Sequence, residues 1–237
     1  MLVKAVSHTG LVRQNNEDAY IVLPELKLFA VADGMGGHAA GEVASEMAVS
    51  ILANHVSSSI SLNEPGTVLV QAINQANREI YLSAKEDSAC TGMGTTLSAV
   101  WVQKNVAYLA HVGDSRIYLF REKILKQLTK DHSFIGEMVR NGNISPEEAE
   151  HHPHRNMLTR ALGVESEVTI DSITLPLHSN DILLFCTDGL SSYVSSEEIS
   201  NVLIKDVEIS AKLEQLVNHA LAQGGYDNIT VLLMQNI

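Results

Sequence analysis

The chain has 237 residues, 45% of them hydrophobic, and carries 28 Asp and Glu against 16 Lys and Arg, a formal charge of -12. That length suits one globular domain with a layered core, and the acidity argues against nucleic acid, whose recognition calls for a basic footprint. Two distant cysteines argue against a disulfide framework, and no apolar run reaches the roughly 20 residues that span a bilayer, so a cytoplasmic protein without membrane contact is expected.

Strand-like runs open the chain: "LVKAVS", "AYIVL" and "KLFAVAD". Helical spacing follows over 41–56, with Val43, Met47, Ile51 and Leu52 on one face, and over 66–84, with Leu69, Ile73, Ala76 and Ile80 on one face and Pro65 near the start. Strands return in "TTLSAVWV", "VAYLAHVGD", "RIYLF" and "KILKQLT", joined by short linkers that favour antiparallel neighbours. Weaker helical stretches occupy about 133–161, including the polar patch "NISPEEAEHHPHRN", which reads as an insertion on one domain. Then come "EVTIDSITL", the apolar strand "DILLFCTD", helices near 196–204 and 208–222, and a last strand, "NITVLLM". Strands and helices arrive in batches, two helices in each half. The pattern predicts an α+β fold, a four-layer α-β-β-α sandwich of two antiparallel sheets flanked by helices, as a single domain over 1–237.

Three apolar strands finish on an acid: Asp33 before Gly34, Asp188 before Gly189, and Asp114 after Gly113. Asp227 stands directly before the last strand. Each Asp-Gly alone reads as turn punctuation. Recurrence suggests several carboxylates aimed at one rim, where they repel or take protons unless a cation intervenes. Oxygen ligands with few neighbouring bases favour hard cations, Mg²⁺ or Mn²⁺, over zinc. "RQNNEDAY" adds Glu17, Asp18 and Arg13, either a solvated strand edge or acids beside a guanidinium that grips phosphate.

"RQNNEDAY", "FAVADGMGGHAAGEVAS", "MGTTLSAV", "HVGDSRIYLF", "LTKDHS", "LTRALG", "DILLFCTDGL" and "GGYDNITVLLM" occur in the order found in metal-dependent protein phosphatases of the 2C type. From about residue 5 onward the chain resembles a minimal bacterial member of that family. The resemblance implies hydrolysis of phosphoserine and phosphothreonine in proteins by a hydroxide bridging two Mn²⁺ or Mg²⁺ ions, with a third, weaker ion. By matching position, Asp33 bridges the two ions, the Gly34 carbonyl binds one, and Asp188 and Asp227 bind the other. Glu17 and Asp18 sit around them, partly through water, and Asp114 holds the third ion with Asp188. Arg13 binds the substrate phosphate and His38 acts as general acid, although His38 also suits a cap on the helix that starts near residue 40. Gly34, Gly36 and Gly37 are expected to bend the backbone with positive φ.

The same resemblance makes about 131–160 a flap beside the site, where His154 and Arg155 are candidates for substrate docking and "HHPH" more simply reads as exposed. It implies phosphoprotein substrates, a cognate Ser/Thr kinase as opponent, and a monomer. Rival mechanisms do not fit the letters: neither cysteine is followed by the C-x5-R arginine, D-x-D is absent, and so is the nucleotide-binding G-x-x-x-x-G-K-[ST]. The remaining rivals are a phosphatase dedicated to one regulator and a metal-binding scaffold without activity.

Overall fold

The computed structural model describes residues 1–36, 40–59, 64–145, 148–149, 152–154 and 156–237. In chain order its first half comprises β1 (Leu2–His8), β2 (Asp18–Leu23), β3 (Leu28–Met35), α1 (Ala40–Ser59), α2 (Pro65–Glu86), β4 (Gly94–Thr95), β5 (Leu97–Gln103) and β6 (Val106–Val112). The second half comprises β7 (Arg116–Arg121), β8 (Ile124–Gln127), α3 (Phe134–Arg140), β9 (Asp171–Pro176), β10 (Ile182–Cys186), α4 (Asp188–Ser191), α5 (Ser196–Leu203), α6 (Ile209–Ala222) and β11 (Ile229–Gln235). One sheet runs β1-β11-β10-β7-β8 and the other β2-β3-β5-β6-β9, with β4 added on β3. Their pairings are antiparallel.

The near-continuous apolar runs are explained by strands buried on both faces. Along β3, Phe29 and Val31 enter the core between the sheets, while Leu28, Ala30 and Ala32 pack under α1 and α2. Along β10, Leu183 and Phe185 face the shared core, while Ile182, Leu184 and Cys186 pack under α5 and α6. Two helices therefore cover each outer face. This is the expected α-β-β-α sandwich.

Helix α2 starts where Glu64 accepts a hydrogen bond from the Thr67 amide at 3.1 Å, with Pro65 in the first turn. Its predicted stripe of Leu69, Ile73, Ala76 and Ile80 is fully buried. Helix α1 differs from the reading of its large apolar residues. Small residues share its packing: Ala44, Ser45 and Ala48 are buried beside Leu52 and Val56, whereas Val43 is 37% exposed. Alanines let α1 lie close against β3; of the predicted face Leu52 is fully buried, Met47 and Ile51 are partly covered and Val43 is exposed.

Strand β3 also continues beyond the predicted stop at Asp33. Gly34 and Met35 pair with β4, a two-residue strand that propensity alone does not reveal. Of the helical stretches expected over 133–161, the described elements retain α3, capped by Ser133, which accepts from the Gly136 amide at 3.1 Å. The ends of this segment are tied together: the Phe134 amide donates to the Met157 carbonyl, and the Thr159 amide to the His132 carbonyl, both at 2.8 Å.

Candidate active site

Aspartates from both sheets converge on one edge of the sandwich. Asp33 on β3 lies directly opposite Asp18 on β2. The Thr96 hydroxyl accepts from the Asp33 amide at 2.9 Å, and the Thr95 hydroxyl and Thr96 amide both donate to the Asp33 carbonyl at 2.9 Å. The Thr96 hydroxyl also pairs with that of Ser115 at 2.7 Å, linking the Asp33 backbone to the segment that carries Asp114.

From the other sheet, Asp188 opens α4 two residues after the end of β10, and Asp227 lies two residues before β11. A glycine is required between these two acids. A Cβ on Gly189 would stand 1.9 Å from the Asn228 carbonyl oxygen, so only glycine lets the start of α4 lie against the 227–228 backbone. Asp18 is held towards the same place, its Oδ2 accepting from the Thr187 hydroxyl at 2.8 Å.

Crowding sets the electrostatics. Burial and the neighbouring carboxylates Asp18, Asp188, Asp114 and Asp227 hold the Asp33 carboxyl well above its usual range. Burial, then Asp227, pushes Asp188 up to about 6, against a hydrogen bond from Asp33. Burial pushes Asp18 up to about 7, opposed by hydrogen bonds from Thr230 and Thr187. Burial, then Asp188 and Asp131, raises Asp114 to about 8. Burial is the largest cause for each, and like charges sharing a site that lacks enough counter-charge add to it.

Glu17 and Arg13 close the rim. Burial raises Glu17 above the usual carboxyl range. Its backbone carbonyl accepts from the Gly34 amide at 3.1 Å. Gly34 does not have the positive φ expected of it. It stands in the strand, and its requirement is proximity, since a Cβ there would lie 2.1 Å from the Gly41 carbonyl oxygen and 2.6 Å from that of Glu17. Gly36 has the positive φ expected of it, at 155°. Arg13 Nη2 donates to Asp227 Oδ2 at 2.8 Å, and this hydrogen bond raises the arginine further. The Arg13 side chain is half exposed, so the pair is weak and the guanidinium is available to exchange for a phosphate.

A cleft of about 860 Å³ runs from Asp114, Asp188 and Asp227 along Arg116, Asp131 and Tyr193. His38 lies outside the described residues, as does Gly37; His154 is exposed, and Arg155 is outside the described residues.

The residues that hold this site together were not singled out from the sequence. Asn228 accepts from the Glu17 amide at 2.8 Å and donates to the carbonyls of Thr9 and Asn15, both at 2.9 Å, stapling the Arg13 loop to the Asp227 strand. His132 Nδ1 accepts from the Gly113 amide at 3.1 Å, while its Nε2 faces Asp171 at 3.3 Å, which also binds Arg160 at 3.1 Å. Burial and then Arg160 lower the His132 pKa, in keeping with a neutral ring protonated on Nε2. Arg116 grips Asp131 with contacts of 2.6 and 3.0 Å. The one signal was positional: Asn228, His132 and Arg160 fall inside "YDNIT", "KDHS" and "LTRALG".

The donor set suits a hard divalent cation. It consists of oxygens, and Asp18 Oδ1 is buried without a hydrogen-bond partner, a cost that a cation removes. Among the described residues the acids converge without three of them forming a closed coordinating group, as repelling carboxylates should.

A family model described as Protein phosphatase 2C matches residues 6–230. The serine/threonine phosphatase stp of Listeria monocytogenes is 42% identical over 232 residues, spanning 95% of this chain and 92% of that protein. The crystal structure of the serine/threonine phosphatase PstP/Ppp of Mycobacterium tuberculosis superposes with a TM-score of 0.90 at 40% identity, covering 99% of this chain and 98% of that one. The catalytic domain of serine/threonine protein phosphatase PstP in complex with two manganese ions gives 0.89 at 38% identity, covering 98% of this chain and 96% of that one. With every described helix and the acid-bearing strand ends inside the match, the chain belongs to the protein phosphatase 2C family.

Proposed function

We propose that this chain removes phosphate from phosphoserine and phosphothreonine in cytoplasmic signalling proteins, opposing a Ser/Thr kinase, as a monomer whose acids hold two Mn²⁺ or Mg²⁺ ions and a weaker third. The observation that carries this reading is the meeting of Asp18, Asp33, Asp114, Asp188 and Asp227, from two sheets, at one cleft. Asp33, Asp188, Asp227 and the Gly34 carbonyl are the assigned ligands of the two ions, with Glu17 and Asp18 around them and Asp114 at the third. When bound, such ions supply a nucleophile from water at neutral pH and absorb charge on the phosphoryl group. Arg13 leaves Asp227 to orient the phosphate bidentately, fixing phosphorus for in-line attack. His38 donates a proton to the departing serine or threonine oxygen. The 131–160 segment, with ends tied together beside the cleft, is assigned as a flap over the site, with His154 and Arg155 as docking candidates. No described helix is long and apolar enough to cross a membrane.

The test is phosphate release from p-nitrophenyl phosphate and from a phosphothreonine peptide, with Mn²⁺, with Mg²⁺ and with EDTA. Activity with either metal and none with EDTA is expected. Turnover that survives chelation contradicts the mechanism, and silence with both metals returns the scaffold reading. His38→Ala should depress the peptide more than p-nitrophenyl phosphate, whose leaving group needs little protonation; equal losses remove the acid role.

A further inference from the structure

Beside the Arg13–Asp227 pair stands an apolar surface that the hydrolysis of a phosphate does not need. Leu11 is 66% exposed, Val12 60% and Tyr226 55%, in an otherwise strongly acidic protein. They are remote in sequence but joined in space. The Leu11 amide donates to the Gly225 carbonyl at 2.7 Å. Gly225 also packs against the Leu11 side chain, where an added Cβ would meet Leu11 Cγ at 3.0 Å. Tyr226 stacks on Tyr193 with ring centroids 5.7 Å apart, and Tyr193 lines the acidic cleft. Arg13 and Asp227, the next residues along each segment, hold one another at 2.8 Å.

We propose that Leu11, Val12 and Tyr226 form a docking rim for an apolar side chain flanking the phosphorylated residue of the substrate, so that the enzyme prefers phosphosites with a leucine- or phenylalanine-type neighbour. The inference rests on the phosphatase reading, because the occupant is the substrate that this reading places in the cleft. The rim is continuous with the cleft mouth through Arg13, Asp227 and Tyr193, so a chain delivering a phosphate to Arg13 crosses it. An extended peptide advances about 3.3 Å per residue, which puts side chains one or two positions from the phosphorylated residue over this surface. Nothing on the rim is charged, so it rewards apolar flanks and offers little to acidic or polar ones. Exposed apolar side chains grouped beside a binding cleft are where partners dock.

The experiment compares kcat/KM in Mn²⁺ for phosphothreonine peptides identical except for leucine or phenylalanine, or serine or asparagine, beside the phosphorylated residue. The expected wild-type preference for the apolar flank is roughly tenfold, the effect of partly burying one such side chain. A Leu11→Ser/Val12→Ser variant, and separately Tyr226→Ser, should level that preference while p-nitrophenyl phosphate turnover stays within about twofold of wild type. A wild-type enzyme indifferent to the flank overturns the proposal. So does a variant that keeps the preference, or a loss shared equally by p-nitrophenyl phosphate. Wild-type self-association that disappears in the serine variant would hand the surface to a second copy of the chain and also overturn it. A wild-type protein inactive on every substrate removes the phosphatase reading itself and the rim with it.

Discussion

Asn228→Ala removes three hydrogen bonds at once, those to the Glu17 amide and to the carbonyls of Thr9 and Asn15. Asn228 is 5% exposed, so its own side chain is shielded, but Asn15 lies at the surface, where water can replace the lost donor. At about 1 kcal/mol for each bond that water does not restore, the loss is about 2 kcal/mol. For a chain of this length that lowers the melting temperature by roughly 4–8 °C. Activity should suffer more. Without the staple, the loop bearing Arg13 and Glu17 is no longer fixed to Asp227, and a misplacement of about 1 Å at a positioned group can cost about 100-fold. We expect kcat/KM to fall about 10- to 100-fold on p-nitrophenyl phosphate and phosphopeptide alike, since the role proposed for Arg13 is on the phosphate common to both. Thermal unfolding by circular dichroism in EDTA, beside phosphate release in Mn²⁺, measures the two effects. Asn228→Asp is the sharper control. It can still accept from Glu17 but turns a carboxylate oxygen towards two carbonyls, so it should be at least as damaging as alanine. A destabilised Asn228→Ala enzyme with wild-type kcat/KM, or an Asn228→Asp enzyme equal to wild type, refutes the positioning argument.

Asp188→Ala should lower turnover by more than about 1,000-fold yet leave the EDTA-treated protein as stable or more so, because it relieves repulsion among raised carboxyls; a lower melting temperature with residual turnover contradicts this. Gly34→Ala forces a Cβ to within 2.1 Å of a backbone oxygen that cannot rotate away, at a cost of about 3 kcal/mol, read as poor soluble yield or a melting temperature lower by roughly 6–12 °C. For pH, the folded-state pKa values of Asp188 (about 6), Asp18 (about 7) and Asp114 (about 8) lie above the unfolded value. Their stabilising contribution is present in full below about pH 4 and lost as pH rises through 6 to 8. The EDTA-treated protein should therefore melt at lower temperature at pH 8.5 than at pH 6.5, and Mn²⁺ should raise the melting temperature more at pH 8.5. That window lies above the range in which His111, pushed down to about 4, contributes the opposite slope. A flat profile in EDTA would show that the acids do not repel one another as placed.

The site acids were legible because Asp is a poor strand former, and its recurrence at the ends of apolar runs needs a reason beyond turning. The layers were legible too, from strands buried on both faces and two amphipathic helices in each half. The face of α1 was not, since Ala44, Ser45 and Ala48 pack by being small and carry little hydropathy. The extension of β3 was hidden for another reason: Gly34 and Met35 depend on β4, a partner about sixty residues away. The supporting polar residues were the least legible. Thr96 reaches Asp33 across 63 positions, Thr187 reaches Asp18 across 169 and Asn228 reaches Glu17 across 211. A threonine or asparagine next to a strand reads locally as a turn or cap, and only the fold supplies its partner.

These contacts also explain why the acids can tolerate one another. Holding Asp18, Asp33, Asp114 and Asp188 together works against folding, so something must oppose their separation. The opposing term is the core between the sheets. Phe29 and Val31 of β3 and Leu183 and Phe185 of β10 are buried there, a few residues before Asp33 and Asp188 on the same two strands. Full burial of each such side chain contributes about 1.5–3 kcal/mol, and that contribution is lost if the two strands part. The sheets cannot slide apart to relieve the acids without exposing this layer. The strand ends are thus held at a spacing the carboxylates would not choose, and a divalent cation gains from a geometry the apolar core has already imposed.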